Sequence, residues 1–291
     1  MLLNLFIGKL DGKMDGNHSQ LDVVSHLLCC EDIQPALIIN IILGLPANMC
    51  VMWLILAGPG DKAADIFSLN QAVCEVAICM SSAMSLIAFK TEGSSVAINI
   101  FIWYTVKFSW GFILSGRPLF LSCVCFERYL AVVHPVTFLK YKHLRYRLAG
   151  TFICWLTVLV CCLIHVWVPD SVMYYVSFGM GFTWFVVQLF CCVETQRALL
   201  RPGPGEGNQE SKGMNSAKLK AFRIITVIVV VTALAYLPYT IAIISLGHIP
   251  TGDSATLFCI SAYVNLVAGF VQPFLYIHRA GKLQCCVKGA V

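Results

Sequence analysis

Apolar residues run through this chain in blocks too long for strands and too continuous for soluble amphipathic helices. Seven stand out, at about 34–57, 66–89, 97–130, 148–168, 172–199, 218–246 and 254–277. Each has room for the roughly 20 residues that cross a hydrocarbon core about 30 Å thick. Length, not periodicity, assigns them to helices, because a run in lipid must satisfy its backbone internally. No internal repeat is visible, so the inverted-repeat plan of many transporters has no support. The expectation is an all-α membrane protein. Its parts are an extracellular N-terminal tail (1–33), a seven-transmembrane helix bundle (34–277), and a short amphipathic C-terminal helix and tail (278–291).

Charge changes this picture only by giving it a direction. Five Lys/Arg and no acid lie between Arg128 and Arg147, and six Lys/Arg against Glu206 and Glu210 lie between Arg197 and Arg223. Arg279, Lys282 and Lys288 follow the last block. With seven spans these segments share one side, which the distribution of basic residues makes cytoplasmic. The other side carries Asp11, Asp15, Asp22, Glu31, Asp32, Asp170 and Asp253. The N-terminus is therefore expected outside and the C-terminus in the cytosol, in a multi-pass plasma-membrane protein. Asn17-His18-Ser19 fits that side as a glycosylation sequon. Met1–Lys9 has a short apolar patch but no basic n-region and is not read as a signal peptide.

Fifteen cysteines would suggest disulfides in a small secreted chain, but most lie inside the apolar blocks, where Cys behaves as a small hydrophobe. Near the outer face, Cys29 or Cys30 could pair with Cys259. Residues 201–217, rich in Gly, Pro and polar side chains, read as a flexible cytosolic linker.

The third block ends in Cys123-Val124-Cys125-Phe126-Glu127-Arg128-Tyr129, an acid beside a base at the membrane surface. The chain from about Leu37 to Cys286 resembles the rhodopsin-like G-protein-coupled receptors, with the motifs in order. Gly44-Leu45-Pro46-Ala47-Asn48 looks like the first-helix signature, and Leu69-Asn70-Gln71-Ala72 precedes Glu75, where the family usually has Asp. Glu127-Arg128-Tyr129 with Ala131-Val132-Val133-His134-Pro135 looks like the end of the third helix, and Trp155 like the fourth-helix Trp. Pro238 in Ala235-Tyr236-Leu237-Pro238 and Gln272-Pro273-Phe274-Leu275-Tyr276 resemble the sixth- and seventh-helix motifs. The resemblance implies that Glu127 restrains Arg128 at rest, and that Arg128 contacts a heterotrimeric G protein when released. A plain snorkelling Arg is the alternative use. Tyr129, Pro135, Pro238, Pro273 and Tyr276 would belong to the same switch, with Val136 as a docking contact. Lys218 begins the sixth block where some relatives carry an acid facing this Arg, so that second restraint is not expected. Cys285 and Cys286, within the mixed basic and apolar run His278–Val287, read as palmitoylation candidates.

The departures are as informative. Trp103 stands where the family's third-helix disulfide Cys belongs, and the loop around Trp167-Val168-Pro169-Asp170 has no cysteine. Tyr236 replaces the sixth-helix Trp, Thr232 an aromatic, and Arg117-Pro118 interrupts the third helix. Trp110 occupies the position of the amine-receptor Asp, and the seventh block has no lysine for a retinal Schiff base. Lys107 and Lys90, among Trp103, Tyr104 and Trp110, suit an anionic or amphipathic extracellular ligand, such as a small molecule, lipid or odorant. Lys107 could equally snorkel outward, and some aromatics could form an interfacial belt. Tyr236, Tyr239, Tyr263 and Asn265 could line the same pocket. Membrane lipids are expected partners.

Two charges sit deep in the bundle. Glu75 is ten residues from Asp65 and Arg117 eleven from Arg128, so each lies about 15–16 Å from the cytosolic helix ends. Opposite charges at one depth on neighbouring helices should pair, since either alone is costly in lipid. By resemblance Glu75 stands at the family's sodium site, which Arg117 would fill permanently; Arg117 turning to Gln272 is the other arrangement. Intramembrane charges also mark ion pathways, so a transporter or channel is the second function class, and a receptor without G-protein coupling a third. No nucleophile–base set or metal-ligand spacing is visible. The expectation is a receptor, not an enzyme, with no cofactor, metal or nucleic-acid partner.

Overall fold

The computed structural model describes residues 33–58, 65–90, 96–141, 143–168, 170–200, 209–245, 251–270 and 272–277. Among them every regular element is a helix. The first helix is Gln34–Ala57, the second Ile66–Lys90, the fourth Leu144–Trp167, the fifth Asp170–Leu200 and the sixth Gln209–Ser245. The third runs as Val96–Gly111, a π-helical turn Phe112–Gly116, and Arg117–Val133. A short helix, Pro135–Tyr141, follows it. The seventh is Thr251–Ala268, with 272–277 helical again after a turn. Among the described residues six helices are long and apolar enough to cross a membrane, and the sixth adds a shorter apolar stretch, Phe222–Pro238.

The third helix is the axis of the bundle. Its middle, Leu119 and Phe120, packs with Cys74 and Ile78 of the second helix and Cys154, Val158 and Cys162 of the fourth. One turn on, Leu121, Val124, Cys125 and Tyr129 pack with Cys191 of the fifth and Ile225 and Ile228 of the sixth. The third and fourth helices approach so closely that a Cβ on Gly111 would lie 2.7 Å from Cys162 Cα. Large apolar side chains such as Trp53, Phe152 and Leu234 are exposed. That is the outward surface expected of helices that are apolar all round.

Three boundaries differ from the sequence reading. The third helix is not interrupted at Arg117-Pro118. It widens instead, and the Arg117 N–H reaches back five residues to the Phe112 carbonyl. A proline ring crowds the carbonyl four residues before it, and a π turn moves that carbonyl away. The first helix does the same before Pro46, with a π turn at Asn40–Gly44. The second helix meets both turns. Cys79 Sγ donates to Asn40 O at 3.5 Å and Cys74 Sγ to Phe112 O at 3.8 Å.

The sixth helix begins at Gln209, inside the stretch read as linker. The glycines and prolines of that stretch concentrate before Asn208, while Gln209-Glu210-Ser211-Lys212 and Ala217-Lys218-Leu219-Lys220 contain good helix formers. The seventh helix is broken where one unbroken span was expected. Gly269 N donates to Leu266 O and Phe270 N to Val267 O at 3.1 and 3.0 Å, a tightened turn just ahead of Pro273, which has no N–H to continue the ladder.

Candidate functional site

At the middle of the bundle, Arg117 is 2% exposed and reaches across from the third helix to the second and seventh. Its Nε donates to Glu75 Oε1 at 2.7 Å and its Nη2 to Glu75 Oε2 at 2.8 Å, a two-pronged pair. Its Nη1 donates to both the carbonyl and Oδ1 of Asn265 at 2.6 Å. Gln71 Nε2, one turn before Glu75, donates to Glu75 Oε1 at 2.8 Å. Asn265, expected in the ligand pocket, therefore belongs to this network. Gln272 is half-buried and does not enter it among the described residues. The difference follows from the turn at Gly269, which brings the chain close to the pair. A Cβ on Gly269 would lie 2.9 Å from both Arg117 Nη2 and Glu75 Oε2.

The π turn beside Arg117 creates a second link. Because the Arg117 N–H is used by Phe112 O, Ile113 O loses its ordinary donor four residues on. The donor five residues on would be Pro118, which has none. Tyr236 of the sixth helix supplies the missing bond, its hydroxyl donating to Ile113 O at 2.7 Å. The residue standing for the family's sixth-helix Trp thus ties the third and sixth helices together through a polar bond. Its ring also lines a small cavity of about 70 Å³ between the third, fifth and sixth helices, with Phe178, Phe182 and Thr232.

At the end of the bundle that holds Arg128, neighbouring charges find different partners. Glu127 is buried and accepts from Arg147 Nη1 at 2.8 Å, tying the third helix to the fourth. Arg128 Nη2 lies 3.9 Å from Asp65 Oδ1, and the Tyr276 hydroxyl donates to Asp65 Oδ2 at 3.0 Å. The expected restraint of Arg128 by Glu127 is thus shared: Arg128 acts on Glu127 through its charge, while Arg147 bonds Glu127 and Asp65 lies beside Arg128. Adjacent residues on a helix point about 100° apart, so their side chains leave toward different neighbours. Tyr129 is buried, with its hydroxyl 3.1 Å from His134 Nε2. Pro135 opens the short helix, where its absent N–H costs nothing. Val136 beside it is 81% exposed. Pro238 sits inside the sixth helix and Pro273 is buried near the start of 272–277.

The ligand-pocket candidates are more scattered. Tyr104, Lys107 and Trp110 are half-buried on the third helix. Tyr263 packs instead against Ile33, Ala36, Leu37 and Leu266, between the first and seventh helices. Lys90, Trp103, Tyr239 and Lys218 lie on helices, but their side chains are outside the described residues, as are Asn17, Cys29, Cys30, Cys285, Cys286 and the expected amphipathic helix. Cys259 is buried. Trp155 Nε1 donates to Asn70 Oδ1 at 2.7 Å, joining the fourth helix to the second.

Four residues of this network escaped the sequence reading. Asp65 and Arg147 each carry a charge at the level of Arg128 and Glu127, a signal of depth without direction. Gln71 stands one turn from Glu75, on the same helix face. Gly269 has no side chain to announce it; its neighbour Pro273 marks only a break.

No family model matches the chain. It is 27% identical over 227 residues to purinoceptor 6 from Homo sapiens, covering 68% of this chain and 66% of that protein. Over 225 residues it is 24% identical to purinoceptor 4 from Rattus norvegicus, covering 69% and 60%. Proteinase-activated receptor 3 from Bos taurus matches at 26% over 151 residues, 52% of this chain and 39% of that protein. The chain spans about two thirds or less of the length of these relatives.

Proposed function

We propose that the chain is a divergent rhodopsin-like G-protein-coupled receptor that couples an extracellular ligand to nucleotide exchange on a cytosolic heterotrimeric G protein. The observation that supports this most is the cytosolic end of the third helix. Arg128 is half-buried against Asp65, the Tyr276 hydroxyl occupies the same carboxylate, and Val136 stands exposed just beyond Tyr129 and His134. This is a closed arrangement with a defined way to open. Moving the sixth and seventh helices outward would draw Tyr276 from Asp65 and leave Arg128 to turn toward an incoming partner. Pro238 and the break at Gly269–Phe270 are the weak points about which those helices would move.

The ligand in this reading is anionic or amphipathic. Lys107, with Tyr104 and Trp110 on the same helix, supplies a cation among aromatic faces. Purinoceptors among the relatives make a purine-bearing anion one candidate. The Arg117 network lies between this outer region and the cytosolic cluster and joins the second, third and seventh helices, so a change in either neighbour would be felt at both ends. The N-terminus lies outside and the C-terminus inside in this orientation.

The test is guanine-nucleotide exchange on purified heterotrimeric G proteins by the protein in bilayer discs, with Val136→Ala alongside. Exchange on at least one G protein, weakened by Val136→Ala, supports the reading. A complete lack of exchange across the G-protein families, with a folded protein, contradicts it.

A further inference from the structure

A crevice of about 510 Å³ opens where the third helix meets the short helix Pro135–Tyr141, the start of the fourth helix and the fifth helix. Its volume falls within the roughly 300–1,000 Å³ of small-molecule pockets. The walls are apolar, built from Phe67, Phe126, Leu130, Phe138, Trp184 and Val187. Its charged lining is already committed, Glu127 and Arg147 to each other at 2.8 Å. An apolar space of this size beside the bilayer needs apolar filling, because packed protein leaves few voids larger than a water molecule.

The mouth has a different chemistry. The rings of Tyr141 and Tyr146 meet edge to face at 5.3 Å. Each carries a cation: Lys140 lies 5.7 Å from the Tyr141 centroid and Arg145 4.8 Å from that of Tyr146. Arg145 Nη2 also donates to the Tyr146 hydroxyl at 3.2 Å. All four residues are exposed. Among the described residues neither cation has a carboxylate within 4.0 Å. Aromatic rings with basic side chains are the anchors proteins place at a membrane interface, and bases there attract anionic headgroups.

We propose that this crevice binds one anionic phospholipid of the cytoplasmic leaflet, its acyl chain between Phe126, Phe138 and Trp184 and its headgroup on Lys140 and Arg145. The occupant rests against the Glu127–Arg147 pair, so it braces the cytosolic end of the third helix without touching Arg128.

Native mass spectrometry of the purified protein, offered equal amounts of phosphatidylserine and phosphatidylcholine with identical chains, tests it. One retained phosphatidylserine is expected, favoured by about 25-fold, since each basic residue at an anionic surface contributes about fivefold. Lys140→Gln with Arg145→Gln should bring the two lipids to near parity. Val187→Trp fills the crevice and should remove the adduct; Leu130→Phe does the same from another wall if the first variant folds poorly. Equal retention of both lipids by the parent would overturn the proposal. So would a preference untouched by the double substitution, an adduct that survives both filling variants, or displacement by equimolar oleate.

Discussion

Replacing Arg117 by Ala should be among the most damaging single changes in this protein. The substitution removes two bonds to Glu75, at 2.7 and 2.8 Å, and two to Asn265, at 2.6 Å. Glu75, 2% exposed, is left with Gln71 as its described donor. Stranding one member of a buried pair costs about 3–5 kcal/mol. For a large domain 1 kcal/mol moves the unfolding midpoint by roughly 2–4 °C, so a fall of about 6–20 °C is expected. The assay is thermal unfolding in detergent, followed by thiol reactivity of the buried cysteines. A cavity alone would also destabilise, so a second variant separates the causes. Glu75→Leu with Arg117→Met removes both charges and keeps the volume, and should recover more than half of the loss. Exchanging the charges, Glu75→Arg with Arg117→Glu, should recover part of it. Sodium supplies another sign. The parent should be indifferent to sodium, because a guanidinium already fills the carboxylate's shell, whereas Arg117→Ala should be stabilised by it. An Arg117→Ala midpoint within about 2 °C of the parent, or a double variant no better than the single, would refute the reasoning.

Three further outcomes follow from the same contacts. Tyr236→Phe leaves Ile113 O without a described donor and should cost about 1–3 kcal/mol in unfolding measurements, with no effect on the Arg117 network; an unchanged midpoint would show the bond to be dispensable. Gly269→Ala places a Cβ 2.9 Å from both charged groups and should destabilise the parent strongly but Arg117→Ala much less; equal effects in the two backgrounds would deny the contact. Lys107→Gln should raise the agonist concentration needed for half-maximal exchange by about ten- to a hundred-fold, the worth of a charge-assisted hydrogen bond; a shift below about threefold would leave Lys107 as a snorkelling side chain.

The number of spans and their depth were legible in the sequence because lipid constrains both. Bilayer thickness sets how long a run must be, and the rise per residue puts Glu75 and Arg117 at one level, where they meet. Direction was not legible. Depth places Glu127, Arg128, Asp65 and Arg147 together at one end of the bundle, but which charge faces which depends on helix rotation, set by packing spread over the whole bundle. The same holds for Asn265, legible as an inward polar residue but not as the partner of Arg117. The π turns show how a local rule can mislead. Pro118 marks a disturbed ladder, but whether the helix breaks or widens depends on Cys74 and Tyr236, which come from other helices to satisfy the carbonyls. The expected ligand pocket was least legible, because aromatic and basic side chains suit both a ligand pocket and a membrane interface.

Arg128 lies beside Asp65, whose other oxygen accepts from Tyr276, and is proposed to be the switch for G-protein coupling. The most direct measurement is ligand-free guanine-nucleotide exchange by three proteins at equal surface density: the parent, Asp65→Asn and Arg128→Ala. Asp65→Asn weakens the hold on Arg128 at 3.9 Å and on Tyr276 at 3.0 Å and should raise basal exchange several-fold, while Arg128→Ala should abolish it. Exchange that is unaltered by Arg128→Ala, or that falls with Asp65→Asn while the protein remains folded, would contradict the account.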